Sequence, residues 1–234
     1  MNLKLFETKK LHYGKYLYKV AVYNTLAPIF RMEFQKEDFS YARKRLDELN
    51  LAYKEAQKNQ ISAVSLFNVP WKKYYDEWVR SDHYFDAITL FRLLKKDVDY
   101  KLRIEQNNAQ IYTNDREFVK ILINNLKFVS EFWEPDPGNI ETLLTNKNII
   151  LVNKEPKYKY KITFGKGKGS PALAKWIDSN PNLAKAGHVT KKDLYAEAYV
   201  KGLYFYVRDQ KALTLAQLMI GNNIQRIDEL LYNP

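Results

Sequence analysis

The stretch Tyr100–Leu122, YKLRIEQNNAQIYTNDREFVKIL, contains the pattern that decides the fold class. Apolar and polar residues alternate on both sides of Asn107-Asn108, which predicts a β-hairpin because successive side chains of a strand point to opposite faces. Apolar residues then recur at helical spacing, and Asn114 or Asp115 is expected to cap this helix. A hairpin followed by a helix is typical of the α+β class.

The rest of the chain extends this pattern. YLYKVAVYN at 16–24 predicts a strand, and residues 38–96 are expected to be mostly helical. Beyond the turn cluster EPDPGN at 134–139, the sequence predicts a short helix, an apolar strand and a lysine-rich strand. DLYAEAYVKGLYFYVRD at 193–209 then predicts a second hairpin, and two helices are expected to end the chain. We therefore predict an α+β fold in which antiparallel hairpins are each followed by helices.

The turn cluster EPDPGN is the best candidate for a domain boundary. It separates an N-terminal α+β region, residues 1–134, from a C-terminal α+β region, residues 139–234. One continuous domain is the alternative. Two sequence echoes raise the hypothesis of an internal duplication: IYTNDREFVKIL resembles FYVRDQKALTLA, and YKVAV, YKLRI and YKITF share a Tyr-Lys-aliphatic pattern.

Within the helical segment, PWKKYYDEWVR at 70–80 predicts a helix with an aromatic stripe. Trp71, Tyr75 and Trp78 follow the spacing of a buried helix face. Tyr74 would then be the more exposed ring, and it is a candidate for stacking on a nucleic-acid base.

Charge and composition restrict the functional classes. The chain has no cysteine, which excludes disulfides, Cys-ligated metals and thiol catalysis, and favours a reducing intracellular setting. No stretch has the pattern of a signal peptide or a membrane span, so we expect a cytoplasmic protein, with an infected host cell as one candidate setting. The net charge of +11 favours a polyanionic partner, although an AT-rich genome would also produce a lysine-rich composition.

The candidate site is KYKYKITFGKGKGS, residues 157–170. As a strand it would place its lysines on one face, and glycines with φ > 0 would turn backbone N–H groups toward an anion at a helix N-terminus. The spacing matches neither the P-loop nor the dinucleotide fingerprint, and a solvated turn is the alternative. The candidate nucleic-acid-binding residues are Lys157, Lys159, Lys161, Lys166, Lys168, Gly165, Gly167, Gly169, Ser170 and Tyr74.

The sequence shows no catalytic motif, and we expect no cofactor or metal. The leading hypothesis is a non-enzymatic DNA- or RNA-binding protein that contacts phosphates, from a phage or another mobile element. A viral structural or assembly protein, acting as a homo-oligomer or with other subunits, is the second hypothesis. A metal-dependent nuclease is the third, because Asp82 and Asp86 share a helix face at i, i+4.

Overall fold

The computed structural model describes residues 3–31, 39–66 and 77–233. The chain divides into two compact units: unit 1 comprises Met1–Thr8 and Lys15–Gly138, and unit 2 comprises Lys9–Gly14 and Asn139–Pro234. Each unit contains a five-stranded, mostly antiparallel sheet with helices. The predicted α+β class is confirmed.

Unit 1 is built around a sheet of strand order β1-β7-β2-β6-β5, and β3 pairs with β4 separately. Its elements are β1 (Lys4–Glu7), β2 (Tyr18–Tyr23), a 3-10 helix (Ala27–Phe30), α1 (Ser40–Lys58), β3 (Ala63–Leu66), β4 (Glu77–Arg80), α2 (Ser81–Leu94), β5 (Tyr100–Glu105), β6 (Asn108–Thr113), α3 (Arg116–Asn125) and β7 (Val129–Glu134).

The predicted hairpin and its helix are present in unit 1. Strands β5 and β6 pair antiparallel, and Gln106 adopts φ of 51° in the turn between them. Asp115 caps α3 by accepting a hydrogen bond from the Phe118 N–H at 2.9 Å. Phe118 and Leu122 of α3 are buried together with Val20 and Ile111 of the sheet. The local signals of this stretch were therefore sufficient to predict its structure.

One prediction for residues 70–96 needs correction. Glu77–Arg80 is a strand instead of the end of a helix, and its alternation buries Val79 and leaves Trp78 64% exposed. Helix α2 lies within the segment predicted to be helical, and it buries the face that carries His83 and Ala87. The predicted stacking residue Tyr74 and its neighbours lie outside the described residues.

Unit 2 is built around a sheet of strand order β10-β11-β9-β12-β8. Its core is formed by inward-facing residues of the sheet and by three helices, α5, α6 and α7, that cover one face. The elements are α4 (Ile140–Thr145), β8 (Ile149–Val152), β9 (Tyr160–Phe164), α5 (Pro171–Ser179), β10 (Ala184–Ala186), α6 (His188–Tyr195), β11 (Tyr204–Val207), α7 (Gln210–Ile220) and β12 (Ile224–Tyr232).

Two secondary-structure predictions are wrong in unit 2. The predicted hairpin at 193–209 contains one strand, β11, because its first residues complete α6. The predicted last helix is the strand β12. β12 pairs with β9 on one side and β8 on the other, so tertiary pairing overrides the local helical pattern.

The two five-stranded sheets have the same topology. Strands β5, β6, β2, β7 and β1 of unit 1 correspond in order to β10, β11, β9, β12 and β8 of unit 2. In each sheet the pair at one edge, β1 with β7 and β8 with β12, is parallel, and the other pairs are antiparallel. The helices α3 and α7 connect corresponding strands.

The register of the two sheets agrees as well. Tyr18 pairs with Thr113, two residues before the cap Asp115, and Tyr160 pairs with Val207, two residues before Asp209. Asp209 caps α7 by accepting a hydrogen bond from the Ala212 N–H at 2.9 Å, as Asp115 caps α3. Matching order, direction, register and cap support the duplication hypothesis. The third echo, YKLRI, does not fit, because its strand β5 corresponds to β10.

Candidate functional site

The predicted lysine track starts outside a strand. Strand β9 begins at Tyr160, so Lys157 and Lys159 precede it. Both are exposed, whereas Lys161 lies within β9 and is half-buried. The lysines therefore do not form the single strand face that the alternation predicted, because Lys157 lies in a bend and β9 begins only at Tyr160.

Lys157 lines an open groove of about 350 Å³ together with Lys185 and Lys191. The carboxylate in the groove is Asp178, which accepts hydrogen bonds from Lys191 and from the Tyr195 hydroxyl. These hydrogen bonds, from Lys191 first, hold the pKa of Asp178 below its ordinary value. The groove lining thus contains three ammonium groups and one ionised carboxylate, which gives it a net positive charge.

The glycine loop differs from the expected anion nest. Gly165, Gly167 and Gly169 do not have positive φ. The Gly165 N–H donates to the Asn223 carbonyl at 3.0 Å, and the Gly169 N–H donates to the Ala198 carbonyl at 2.8 Å. Two of the three N–H groups are therefore used inside unit 2 and do not converge on an external anion.

Close approach explains two of these glycines. A Cβ at Gly169 would lie 2.6 Å from the Asp193 carbonyl oxygen and from the Leu194 Cα, both main-chain atoms. A Cβ at Gly167 would lie 2.5 Å from the side chain of Asn223. The loop needs glycine to fit against α6 and the segment before β12.

The helix start after the loop is as predicted. Ser170 caps α5, with its hydroxyl oxygen accepting from the Leu173 N–H at 3.3 Å, and Pro171 is the first helical residue. Lys166 and Lys168 of the loop are exposed. The loop therefore presents two cations next to a helix N-terminus.

The sheet of unit 2 carries a second set of polar residues that sequence reasoning missed. In register, Lys185 of β10 pairs with Tyr206 of β11, Tyr206 pairs with Lys161 of β9, and Lys161 pairs with Asp228 of β12. Tyr204, two residues from Tyr206 along β11, lies on the same face. These residues lie on the face opposite the core residues Ile162, Phe164, Phe205 and Val207, and we call it the polar face. The alternation of tyrosines with buried residues in YFYV, residues 204–207, was the sequence signal from which this face could have been predicted.

A buried carboxylate organises the cations of the polar face. The Asp228 side chain is 0% exposed, and its Oδ2 accepts from Lys10 Nζ at 2.7 Å and from Arg226 Nε at 3.0 Å. Its Oδ1 has no hydrogen-bond partner. Burial lowers the pKa of Lys161 despite the opposing attraction of Asp228, and burial likewise lowers that of Lys10.

Lys161 lies over an aromatic ring. Its Nζ is 3.8 Å from the centroid of Tyr204, a cation–π distance. Among the residues that the structure describes, no carboxylate oxygen lies within 4.0 Å of this ammonium. Lys161 is thus held in place by a ring and not by an ion pair.

The corresponding face of the unit 1 sheet also has two lysines with a tyrosine between them. Lys101 of β5 pairs with Tyr112 of β6, and Tyr112 pairs with Lys19 of β2. Lys19 forms an ion pair with Glu131 at 3.1 Å. Burial opposes ionisation of Glu131, but hydrogen bonds from Trp133 and Lys19 outweigh it and hold its pKa below the ordinary value.

The basic charge is concentrated in unit 2. Unit 2 has 17 Lys and Arg against 8 Asp and Glu, whereas unit 1 has 21 against 19, so unit 2 carries +9 of the net +11. Eleven exposed lysines of unit 2 have no carboxylate oxygen within 4.0 Å among the described residues. They are Lys147, Lys154, Lys157, Lys159, Lys166, Lys168, Lys175, Lys185, Lys192, Lys201 and Lys211.

The carboxylates considered for a metal site have other contacts. Asp86 accepts from the N–H groups of Lys127 and Phe128 at 2.9 and 3.0 Å, and Asp82 pairs with Arg80 and Lys127. Residues 3–31, 39–66 and 77–233 contain no group of three or more His, Asp or Glu that could hold a metal ion. In the same residues, no helix has the length and apolar character to cross a membrane.

Comparison with known protein families, with curated proteins and with solved structures finds no match to this chain. The function is therefore argued from the residues and their geometry.

Proposed function

We propose that unit 2 binds DNA or RNA through the phosphate backbone and that the protein acts without catalysis. The observation that supports this most strongly is the set of exposed lysines of unit 2 that have no carboxylate partner. Lysines that neutralise phosphates release condensed counterions, which drives binding and makes it depend on salt. A cytoplasmic location and an origin in a phage or mobile element belong to the same proposal and rest on composition alone.

The lysines at the two ends of β9 are the first candidates for phosphate contacts. Before the strand, Lys157 lies in the basic groove, and the main chain of Lys159 is fixed by bonds to Arg208 and Leu230. After the strand, Lys166 and Lys168 project from the glycine loop. The role we assign to Gly165, Gly167, Gly169 and Ser170 is to hold this loop against α6 and at the start of α5.

The test is the salt dependence of binding to a labelled oligonucleotide, measured by fluorescence anisotropy. Affinity should fall steeply with salt, and the variant K157Q/K159Q/K166Q/K168Q should flatten the logarithmic slope by roughly 3, since each phosphate contact contributes about 0.7–0.9. The matched control is K44Q/K54Q/K58Q/K96Q, which removes four exposed lysines of unit 1. A salt-independent affinity, or an equal effect of the control, would contradict the proposal.

Self-association is a second candidate function, favoured by an apolar surface on α7. Leu218 is 77% exposed, and Leu215 and Met219 on the same helix are also exposed. A patch of this kind is typical of a contact between protein subunits. Light scattering coupled to size exclusion tests it: L218K should convert an oligomer into a monomer, whereas a wild-type monomer at all concentrations would remove the candidate.

A further inference from the structure

The polar face of unit 2 contains an aromatic ring that its neighbours fix in place. Lys161 Nζ lies over the Tyr204 ring at 3.8 Å, and the Tyr206 ring meets Tyr204 edge-on, with 5.6 Å between centroids and 79° between planes. Tyr204 is nevertheless 42% exposed. Because the ammonium lies over one face of the ring, a nucleobase can stack only on the exposed part that Lys161 leaves open.

The charge around this ring is positive, and one of the differences from unit 1 that make it so is the residue that corresponds to Glu131. In unit 1, Glu131 lies two register pairs along β7 from Trp133, the residue opposite Lys19, and it neutralises that lysine at 3.1 Å. The corresponding position of β12 is Arg226. Asp228 is already bound by Lys10 and Arg226, so three cations surround one carboxylate. The site has the charge to attract an anion.

Two buried polar atoms near the ring have no partner. Thr163, which pairs with Tyr204 across the strands, has a buried hydroxyl without a hydrogen bond, and so has Asp228 Oδ1. Buried polar atoms are rarely left unpaired in folded proteins. A hydroxyl can donate to a phosphate oxygen, and a carboxylate oxygen can accept from a sugar hydroxyl or a base amino group. The unpaired atoms therefore match the groups of a nucleotide.

We propose that the polar face of unit 2 binds an unpaired nucleotide of a single strand. The base stacks on Tyr204, and Lys161 binds its phosphate. A duplex keeps its bases stacked inside the helix and cannot place one on the ring without unpairing it, so the site selects single strands. This inference rests on the proposed function and specifies the nucleic acid.

The experiment compares two variants at one position with two ligands. Y204L removes the ring and Y204F keeps it, and the ligands are a single-stranded oligonucleotide and an abasic strand of the same length, at one fixed salt concentration. Y204L should weaken binding of the normal strand about 10-fold, within the range measured for one stacked base. Y204F should bind both ligands as the wild type does, and Y204L should not affect the abasic strand.

The outcomes separate this inference from the proposed function. If Y204L binds both strands as the wild type does while affinity still falls steeply with salt, the stacking site is wrong and phosphate binding stands. If the wild type binds neither strand nor a duplex of the same sequence, both proposals are overturned; binding to the duplex alone overturns only the single-strand site. Because Tyr204 is at the surface, the thermal midpoint of Y204L should match that of the wild type, and Y204Q serves as a second ring-removing variant.

Lys161 gives an independent readout. K161M keeps the length of the side chain and removes its charge, so it should weaken binding of the normal and the abasic strand by the same factor and reduce the salt slope by about 1. An unchanged slope would show that Lys161 does not contact phosphate and would overturn its part in the site.

Discussion

Unit 1 and unit 2 use one sheet topology and two different charge arrangements. Both place a lysine at the start of the central strand, Lys19 and Lys161, with a tyrosine beside it on the next strand. Lys19 is neutralised by Glu131, and the matched position of Glu131 in unit 2 is Arg226. The comparison teaches that the charge arrangement on one face of a sheet can be changed by a few side chains while the strand order and register are kept.

The residues opposite these lysines differ as well. Lys19 pairs in register with Trp133, whose ring lies 5.3 Å from the Lys19 ammonium and stacks on Phe6 at 4.5 Å. Lys161 pairs with Asp228, which binds two other cations. Unit 1 therefore has an aromatic stack where unit 2 has a buried ion cluster.

The largest expected effect is the loss of the buried carboxylate. D228N should destabilise the protein by about 2–3 kcal/mol, because Lys10 and Arg226 would be left near a neutral group. E131Q, at the half-exposed ion pair of unit 1, should cost less than about 1 kcal/mol. Urea denaturation measures both. Equal costs would mean that the ion cluster of unit 2 is as weakly coupled to folding as the ion pair of unit 1.

The second effect concerns the glycine loop that follows β9. G169A should destabilise by roughly 1–3 kcal/mol, since its Cβ would meet main-chain atoms of Asp193 and Leu194 that cannot turn away. G167A should cost less, because the Asn223 side chain can rotate. If instead the loop served as an anion nest, both variants would retain stability and lose nucleic-acid binding.

Whether an element of the fold could be predicted from sequence depends on whether the signals that determine it lie within that element. The β5–β6 hairpin and the capped α3 were predicted because their signals are local: alternation, a polar turn and an Asp cap. Strand β12 was not, because its state is set by pairing with β8 and β9, which are distant in sequence. The same holds for Glu77–Arg80, which pairs with Ala63–Leu66.

The residues of the candidate site were likewise predictable only where they lie close together in the sequence. The lysines near β9 and the Ser170 cap could be found in one stretch of sequence, whereas Tyr204, Arg226 and Lys10 reach the polar face from distant segments. Only strand register shows that Lys161 lies between a tyrosine and a buried aspartate. Sequence alone could propose a row of cations but not its arrangement.

A third effect tests whether the two copies of the helix cap are equivalent. D115A and D209A each remove the same N–H acceptor, at 2.9 Å in both units, so each should lower the thermal midpoint by a few degrees.

Hydrogen bonds from Ala212 N–H and Arg208 hold the pKa of Asp209 below its ordinary value. The stability that Asp209 contributes is thus present at neutral pH and is lost as the pH falls below about 4. As the pH falls through the pKa of folded Asp209, the midpoints of D209A and the wild type should converge; a difference that did not shrink would show that Asp209 acts by another route.

The smallest expected effect is the change in stability when either lysine is replaced, and its sign is the informative part. K19M leaves Glu131 without its lysine and should destabilise by less than about 1 kcal/mol. K161M removes an ammonium that has no ion pair, so it should be neutral or slightly stabilising, by less than about 1 kcal/mol because water screens the half-buried charge. Since burial lowers the pKa of Lys161, the folded state releases this proton before the unfolded state does, and wild-type stability should rise relative to K161M as the pH approaches 10.5. Denaturation at neutral and alkaline pH measures the difference. A stabilising K161M that loses binding would show that Lys161 is retained for a ligand, whereas a destabilising K161M would make it a structural residue like Lys19.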